Sequence, residues 1–277
     1  VAIEMNESTT KSFMNIAHRG ASGHYPENTM LAFRKALEKG FNWIECDVRL
    51  TADQQVVVIH DRLVDRTTNA TGEVSSFTLT EIKELDAGSW FAEEWAGEQI
   101  PTLEELLVLM EKHHARLVIE IKDGINFPEI IEKVLTIVDA AGMKEAVSIS
   151  SFNWEVLEQV RKLDPEISLS ALVLFDPKAE EQYVLRDSGK TRVYNSVDDL
   201  LQDCLDRQVD IVCPPADETT SEMVDRLHQH DLLVRVWGLK RLNDKEIEDL
   251  LRMGIDGATA DYPDQLEEKL REMKIRL

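Results

Sequence analysis

The chain has no run approaching the ~20 apolar residues that cross a bilayer, so no membrane span is expected. Basic residues are scarce, with 31 Lys and Arg against 53 Asp and Glu and a net charge of −22. That balance argues against nucleic acid and against anionic membrane surfaces as partners, because both would be repelled. Cysteine is rare and odd in number. Cys46, Cys204 and Cys213 have no zinc-type spacing, so reduced thiols are expected and not a disulfide framework. No GxGxxG fingerprint follows the first strand-like segment, which weighs against an open, doubly wound nucleotide-binding sheet. The opening stretch, Val1 to Phe13, is polar and lacks the apolar core of a signal peptide. This favours the cytoplasm, although Val1 is not an initiator methionine and a removed signal or tag stays open.

What is present suits an α/β enzyme. A length of 277 residues is normal for one α/β barrel, and 43% hydrophobic residues can fill its core. The opening strand, Met14 to Ala17, leads through a glycine-containing loop into a helix over about Glu27 to Lys39. Asn28 and Thr29 stand at its start as caps, and Leu31, Phe33, Ala36 and Leu37 mark its buried stripe. Apolar strand-like runs then recur at 117–121, 146–149, 168–173, 210–213, 232–236 and 257–260. Helical patterns lie between most of them, at 102–113, 127–141, 154–163, 218–230 and 244–253. Repeated βα units predict a parallel sheet covered by helices. The fold expected is a TIM (β/α)8 barrel spanning residues 1–277 as one domain. Nine strand candidates are one too many, unless the return strand of a hairpin near Ala52-Asp53 rises above the barrel. Arg62 to Ile100 breaks the alternation and is too long for a plain connection. It reads as a small inserted subdomain, over 62–100, overhanging the site.

Chemistry-bearing residues gather at strand ends, where such barrels place their sites. His18 and Arg19 close the first strand. Glu45 and Asp47 close the second, on one face because side chains alternate, with Cys46 on the other. The hairpin register, centred near Ala52-Asp53, sets Glu45 roughly opposite His60. Glu120 and Lys122 end the strand that begins near Leu117. Two histidines can trade a proton, and three hard carboxylates suit Mg²⁺ or Ca²⁺ better than zinc. An anionic substrate must overcome the chain's own field, so the site needs local positive charge from a metal or from Arg19 and Lys122. His24, His113, His114, His228 and His230 read as structural or surface histidines.

The stretches His18-Arg19-Gly20, Pro26-Glu27-Asn28-Thr29, Glu45-Cys46-Asp47, His60-Asp61 and Glu120-Ile121-Lys122 resemble the glycerophosphodiester phosphodiesterase family. So do residues 85–91, Ile100-Pro101-Thr102-Leu103-Glu104-Glu105 and the closing segment 254–263. The resemblance runs in the family's order from about Ile16 to Pro263. It implies a TIM barrel with an insertion, and hydrolysis of a small glycerophosphodiester to glycerol 3-phosphate and an alcohol with one divalent cation. By motif position it implies Glu45, Asp47 and Glu120 as metal ligands and His18 and His60 as the acid–base pair. Arg19 and Lys122 would contact phosphate, Glu27 would support the site, and Trp237 would lie near the substrate. Two segments depart from the family's usual pattern, Ala258-Thr259-Ala260-Asp261 and Gly238-Leu239-Lys240, both on the substrate side. Two other readings remain at this point. One is a lipid-cleaving phosphodiesterase, such as a lysophospholipase D or a phosphoinositide-type phospholipase. The other is a non-catalytic barrel that binds a phosphorylated ligand or a protein.

Overall fold

The computed structural model describes residues 12–122, 129–175 and 192–276. Most of the polar N-terminal stretch and the first two residues of the helix expected at 127–141 lie outside them.

Among the described residues, nine strands form one sheet: β1 (Met14–Ala17), β2 (Trp43–Leu50), β3 (Val56–Val58), β4 (Arg116–Ile121), β5 (Val147–Ser151), β6 (Ser168–Leu172), β7 (Ile211–Cys213), β8 (Leu233–Val236) and β9 (Gly257–Ala260). The order β1-β9-β8-β7-β6-β5-β4-β2, with β1 pairing back to β2, closes an eight-stranded barrel. Every pairing within that ring is parallel, while β3 pairs antiparallel with β2 and bridges Thr102 through Val57. The surplus strand therefore sits outside the ring, as the hairpin reading required.

The register of that hairpin corrects the sequence reading. Val48 faces Val58 and Leu50 faces Val56, so the turn centres on Asp53, and continuing the ladder sets Cys46, not Glu45, against position 60. The turn runs from Thr51 to Gln55 and is centred half a residue later than expected, with Thr51 closing it. The Thr51 hydroxyl accepts from Gln55 N at 2.9 Å, and Gln54 takes a left-handed φ of 63°. A one-residue slip would normally turn His60 to the wrong face. It does not matter here, since β3 stops at Val58 and the chain bends. Arg49 on β2 then fixes the arrival of His60 by donating from Nε to its carbonyl at 2.7 Å.

Outward-facing strand residues such as Cys46, Val48, Ile119 and Ile149 pack against the surrounding helices in one continuous core. Thr29 caps the helix Met30–Glu38, and Thr102 with Glu105 forms a capping box for Leu103–Lys112. The first of these helices starts three residues later than expected, because Asn28 adopts a left-handed φ of 56° that no helix accommodates. Residues 62–100 contribute to a separate small apolar cluster that joins Val57 and Ile59 to Val64, Val74, Ile82, Ala87 and Ile100. All three cysteines are buried and free. Among the described residues, no helix is long and apolar enough to cross a membrane.

Candidate active site

Each candidate histidine reaches the barrel mouth with one ring nitrogen already committed. His18 follows β1, and its Nδ1 lies 2.5 Å from Oδ1 of Asp261, which follows the neighbouring β9. His60 holds the same relation to Asp61, again at 2.5 Å from Nδ1. A carboxylate on Nδ1 fixes the tautomer and leaves Nε2 to face the cavity. His18 Nε2 stands 3.9 Å from Glu45 Oε2. Burial, with Lys122 and Arg19 nearby, pushes the His60 imidazole below its usual pKa, against the pull of Asp47 and Asp61.

Three buried carboxylates converge beside the histidines. Glu45, Asp47 and Glu120 each offer an oxygen, and these atoms lie within 4.8 Å of one another. Burial and the charge of Asp47 push the Glu45 carboxyl up to about 7. Burial opposes ionisation of Asp47 as well, yet Arg19 and Lys122 hold it well below the usual range. Arg19 Nε is 3.1 Å from Asp47 Oδ2, Lys122 Nζ is 3.3 Å from Oδ1, and Asn28 Nδ2 donates to Oδ2 at 2.9 Å. Lys122 also bonds Glu120. Glu45 accepts from the Arg19 backbone N–H at 3.0 Å through Oε2, while its Oε1 is buried with no hydrogen-bond partner. A buried carboxylate oxygen without a donor is costly unless a cation meets it. The donor set is all oxygen and hard, so these residues fit a divalent cation such as Mg²⁺ or Ca²⁺.

The loop after β1 brings these groups together through two left-handed residues. Arg19 (φ 54°) and Asn28 (φ 56°) both aim at Asp47, and Asn28 N donates to Arg19 O at 3.1 Å. Gly20 follows at φ 80°, where a Cβ would sit 2.6 Å from the Ala32 carbonyl carbon, so only glycine lets the loop lie on the first helix. Beyond Arg19 the charges continue outward. Its Nη1 donates to Glu27 at 2.7 Å, Arg66 clasps Glu27 through both terminal nitrogens, and Arg66 Nε reaches Asp61 at 2.6 Å. Burial alone would raise the Glu27 carboxyl, but the Arg66 hydrogen bonds and the charges of Arg19 and Arg66 hold it down at about 2.

A depressed carboxyl stabilises the fold fully above the unfolded value, here the ordinary 4.5, and loses that contribution as pH falls through the folded value near 2. The span is worth at most about 3 kcal/mol. Glu27→Gln is therefore expected to flatten the acid limb of stability between those two values, as measured by denaturant unfolding across the pH range. Equal slopes in the two proteins would show that Glu27 is not the group titrating.

Seven of the nine residues singled out in the sequence, His18, Arg19, Glu45, His60, Glu120, Lys122 and Trp237, line one cavity of about 410 Å³. Asp47 lies fully buried beneath it, and Glu27 stands behind Arg19. The Trp237 indole donates to Cys213 O at 3.0 Å and meets Phe152 edge-on. Four further residues belong to the arrangement and carry no site role in the sequence reading: Asp261, Arg66, Arg235 and Asn28, a helix cap on that reading, which leaves capping to Thr29 and donates to Asp47 instead. Asp261 and Asn28 sit inside recognisable motifs, but nothing local says that Asp261 meets a histidine 243 positions away.

The sequence profile of the glycerophosphoryl diester phosphodiesterase family matches residues 18–265. A glycerophosphodiester phosphodiesterase of Caldanaerobacter subterraneus is 37% identical over 261 residues, covering 93% of this chain and 97% of that protein. One from Bacillus altitudinis is 34% identical over 93% of this chain and 98% of its own length. Among solved structures, an Oleispira antarctica phosphodiesterase in complex with the product sn-glycerol-3-phosphate superposes with a TM-score of 0.78 at 27% identity, covering 92% and 96% of the two chains. The glycerophosphodiester phosphodiesterase from Agrobacterium tumefaciens gives a TM-score of 0.72 at 26% identity, with 90% and 96% covered. With its barrel, its strand-end acids and histidines and these matches along nearly its whole length, the chain belongs to the glycerophosphoryl diester phosphodiesterase family.

Proposed function

We propose that the protein hydrolyses glycerophosphodiesters to sn-glycerol 3-phosphate and an alcohol, with His18 and His60 as the acid–base pair. One divalent cation, Mg²⁺ or Ca²⁺, would be held by Glu45, Asp47 and Glu120. The observation that carries this reading is the pair of histidines at one cavity, each tied through Nδ1 to its own carboxylate and each left with Nε2 for proton transfer. The sn-glycerol-3-phosphate held by the Oleispira relative supports the product.

His60, kept neutral by burial and by nearby cations, takes the proton from the glycerol 2-hydroxyl. That oxygen attacks phosphorus, the bond to the alcohol oxygen breaks, and His18 delivers its proton to the departing alcohol. Water then opens the cyclic phosphate with the two roles exchanged, which restores both histidines. Arg19 and Lys122 hold the phosphoryl oxygens, and Glu27 with Arg66 keeps Arg19 in place. A divalent cation held by Glu45, Asp47 and Glu120 would supply Lewis acidity that offsets the charge growing on the phosphate and eases loss of the hydroxyl proton. Residues 62–100 act on this site as an inserted subdomain through Arg66, which links Glu27 to Asp61. A small diester as substrate, with no nucleic-acid partner, is the setting that the acidic sequence supports.

The test is release of sn-glycerol 3-phosphate from a panel of deacylated glycerophosphodiesters, set beside their lyso-lipid parents, with Mg²⁺ or Ca²⁺ supplied. Release from the soluble diesters is expected. Turnover confined to the lyso-lipids would move the substrate to a membrane, and binding without turnover would leave a barrel that only recognises its ligand.

A further inference from the structure

Arg235 is an anomaly in the barrel interior. It lies on β8 between Val234 and Val236, which point outward into the helix-facing core, so Arg235 points inward, and it is only 3% exposed. Among the described residues, six Arg and Lys side chains line the cavity. Five have a carboxylate within 4 Å: Arg19, Lys122, Lys240, Arg241 and Lys269. Among the described residues, Arg235 has none. Its contacts are with neutral groups: Nη1 to Thr259 Oγ1 at 2.7 Å, Nη2 to Ser150 Oγ at a long 3.4 Å, and the Cys213 thiol. Its Nε is buried with no hydrogen-bond partner. A guanidinium taken out of water without a counter-charge is strongly disfavoured, and fixed donors of this kind are completed by an anion.

The side chain also points in a useful direction. The Arg235 backbone pairs with Gly257, but its head group bonds Thr259, two residues nearer the C-terminal end of β9. It therefore climbs roughly 7 Å along the barrel toward the mouth. Arg19 and Lys122, which follow β1 and β4, already serve the place where His18 and His60 must meet the scissile phosphate. Arg235 comes from a different wall, beside Phe152 and Trp237.

We propose that Arg235, with Thr259 and Ser150, is a specificity determinant that seats an anionic group, a phosphate monoester or carboxylate, carried on the substrate beyond the scissile phosphate. This rests on the hydrolysis proposed above.

Three diesters of sn-glycerol 3-phosphate separate the possibilities: one with an ethylene glycol arm, one with that arm ending in a phosphate monoester, and one with a choline arm. The wild-type protein is expected to favour the anionic arm over the neutral one in kcat/KM by about 10- to 100-fold, the range of a charge-assisted hydrogen bond, with choline lowest. Arg235→Gln should bring the anionic-to-neutral ratio near unity, and Arg235→Lys should keep part of it, with thermal unfolding run on both. A wild-type protein with no preference for the anionic arm overturns the proposal without any variant. So does an Arg235→Gln protein in which all three substrates fall equally, since Arg235 would then serve the shared phosphate or the barrel itself. Release from the neutral arm with no gain for the anionic arm sinks this inference alone. No release from any of the three sinks it together with the hydrolysis.

Discussion

Replacing either His18 or His60 with alanine is expected to lower kcat by roughly 10²- to 10⁴-fold, with KM changed far less. Each ring is a quarter exposed and sits at the cavity edge, so its loss removes little packing. Under the proposed mechanism, what disappears is a proton acceptor or donor whose orientation is set by Asp261 or Asp61. Two rings acting on one reaction coordinate would leave the double variant scarcely slower than the worse single variant. Asp61→Asn and Asp261→Asn give the companion measurement. Each keeps a side chain in place while removing the carboxylate that orients the ring. The kcat of these variants should fall less than that of the alanine variants, and in Asp61→Asn the limb of the pH–rate profile belonging to His60 should move to lower pH. A merely structural role for Asp61 would lower stability and leave the profile where it was. Near-normal kcat in both His18→Ala and His60→Ala would end the acid–base assignment.

The parts of this protein legible in the sequence are those set by local pattern. Eight apolar strands alternating with amphipathic helices can close in few ways, and a ninth flanked by a short polar turn had to lie outside the ring. The three carboxylates were legible because Glu45 and Asp47 share parity on one strand, while Glu120 ends the next strand in the ring. The hairpin register was not legible. It depended on a Thr51 hydroxyl and a left-handed Gln54, which shift the cross-strand register by one residue with no change in hydrophobic pattern. Asp261 was hidden for another reason: ring closure, not any sequence interval, brings the end of β9 against the end of β1. Arg235 did leave a signal, as a charged residue in the middle of an apolar strand. That no carboxylate among the described residues pairs with it appears only once the strands close into the ring.

Removing divalent cations with a chelator is expected to lower turnover by at least ~10²-fold, the scale of losing one electrostatic stabiliser of the transition state, and to lower the melting temperature too. The second effect follows from linkage. A cation at about 100 times its Kd adds about 2.7 kcal/mol to the folded state, which for a chain of this size is roughly 5–10 °C. Glu45→Gln separates the cation's role from that of the fold. Glu45 sits among like charges, and its carboxyl is pushed up to about 7 by burial and Asp47, so keeping it ionised without a cation costs stability. The amide is nearly isosteric and can still accept the Arg19 backbone N–H. At a pH of about 8 and without cations, Glu45→Gln should therefore melt higher than the wild-type protein, by about 1–3 kcal/mol of stability. On adding Mg²⁺ or Ca²⁺ the order should reverse, because the variant has lost a ligand and gains little, and its activity should stay low at every cation concentration. Asp47→Asn makes the contrast. Arg19 and Lys122 both lean on Asp47, so neutralising it leaves two buried cations short of a partner and should destabilise the protein with or without cations. If Glu45→Gln and the wild-type protein respond equally to added cations, Glu45 is no ligand and the three acids are only a charge network for Arg19 and Lys122.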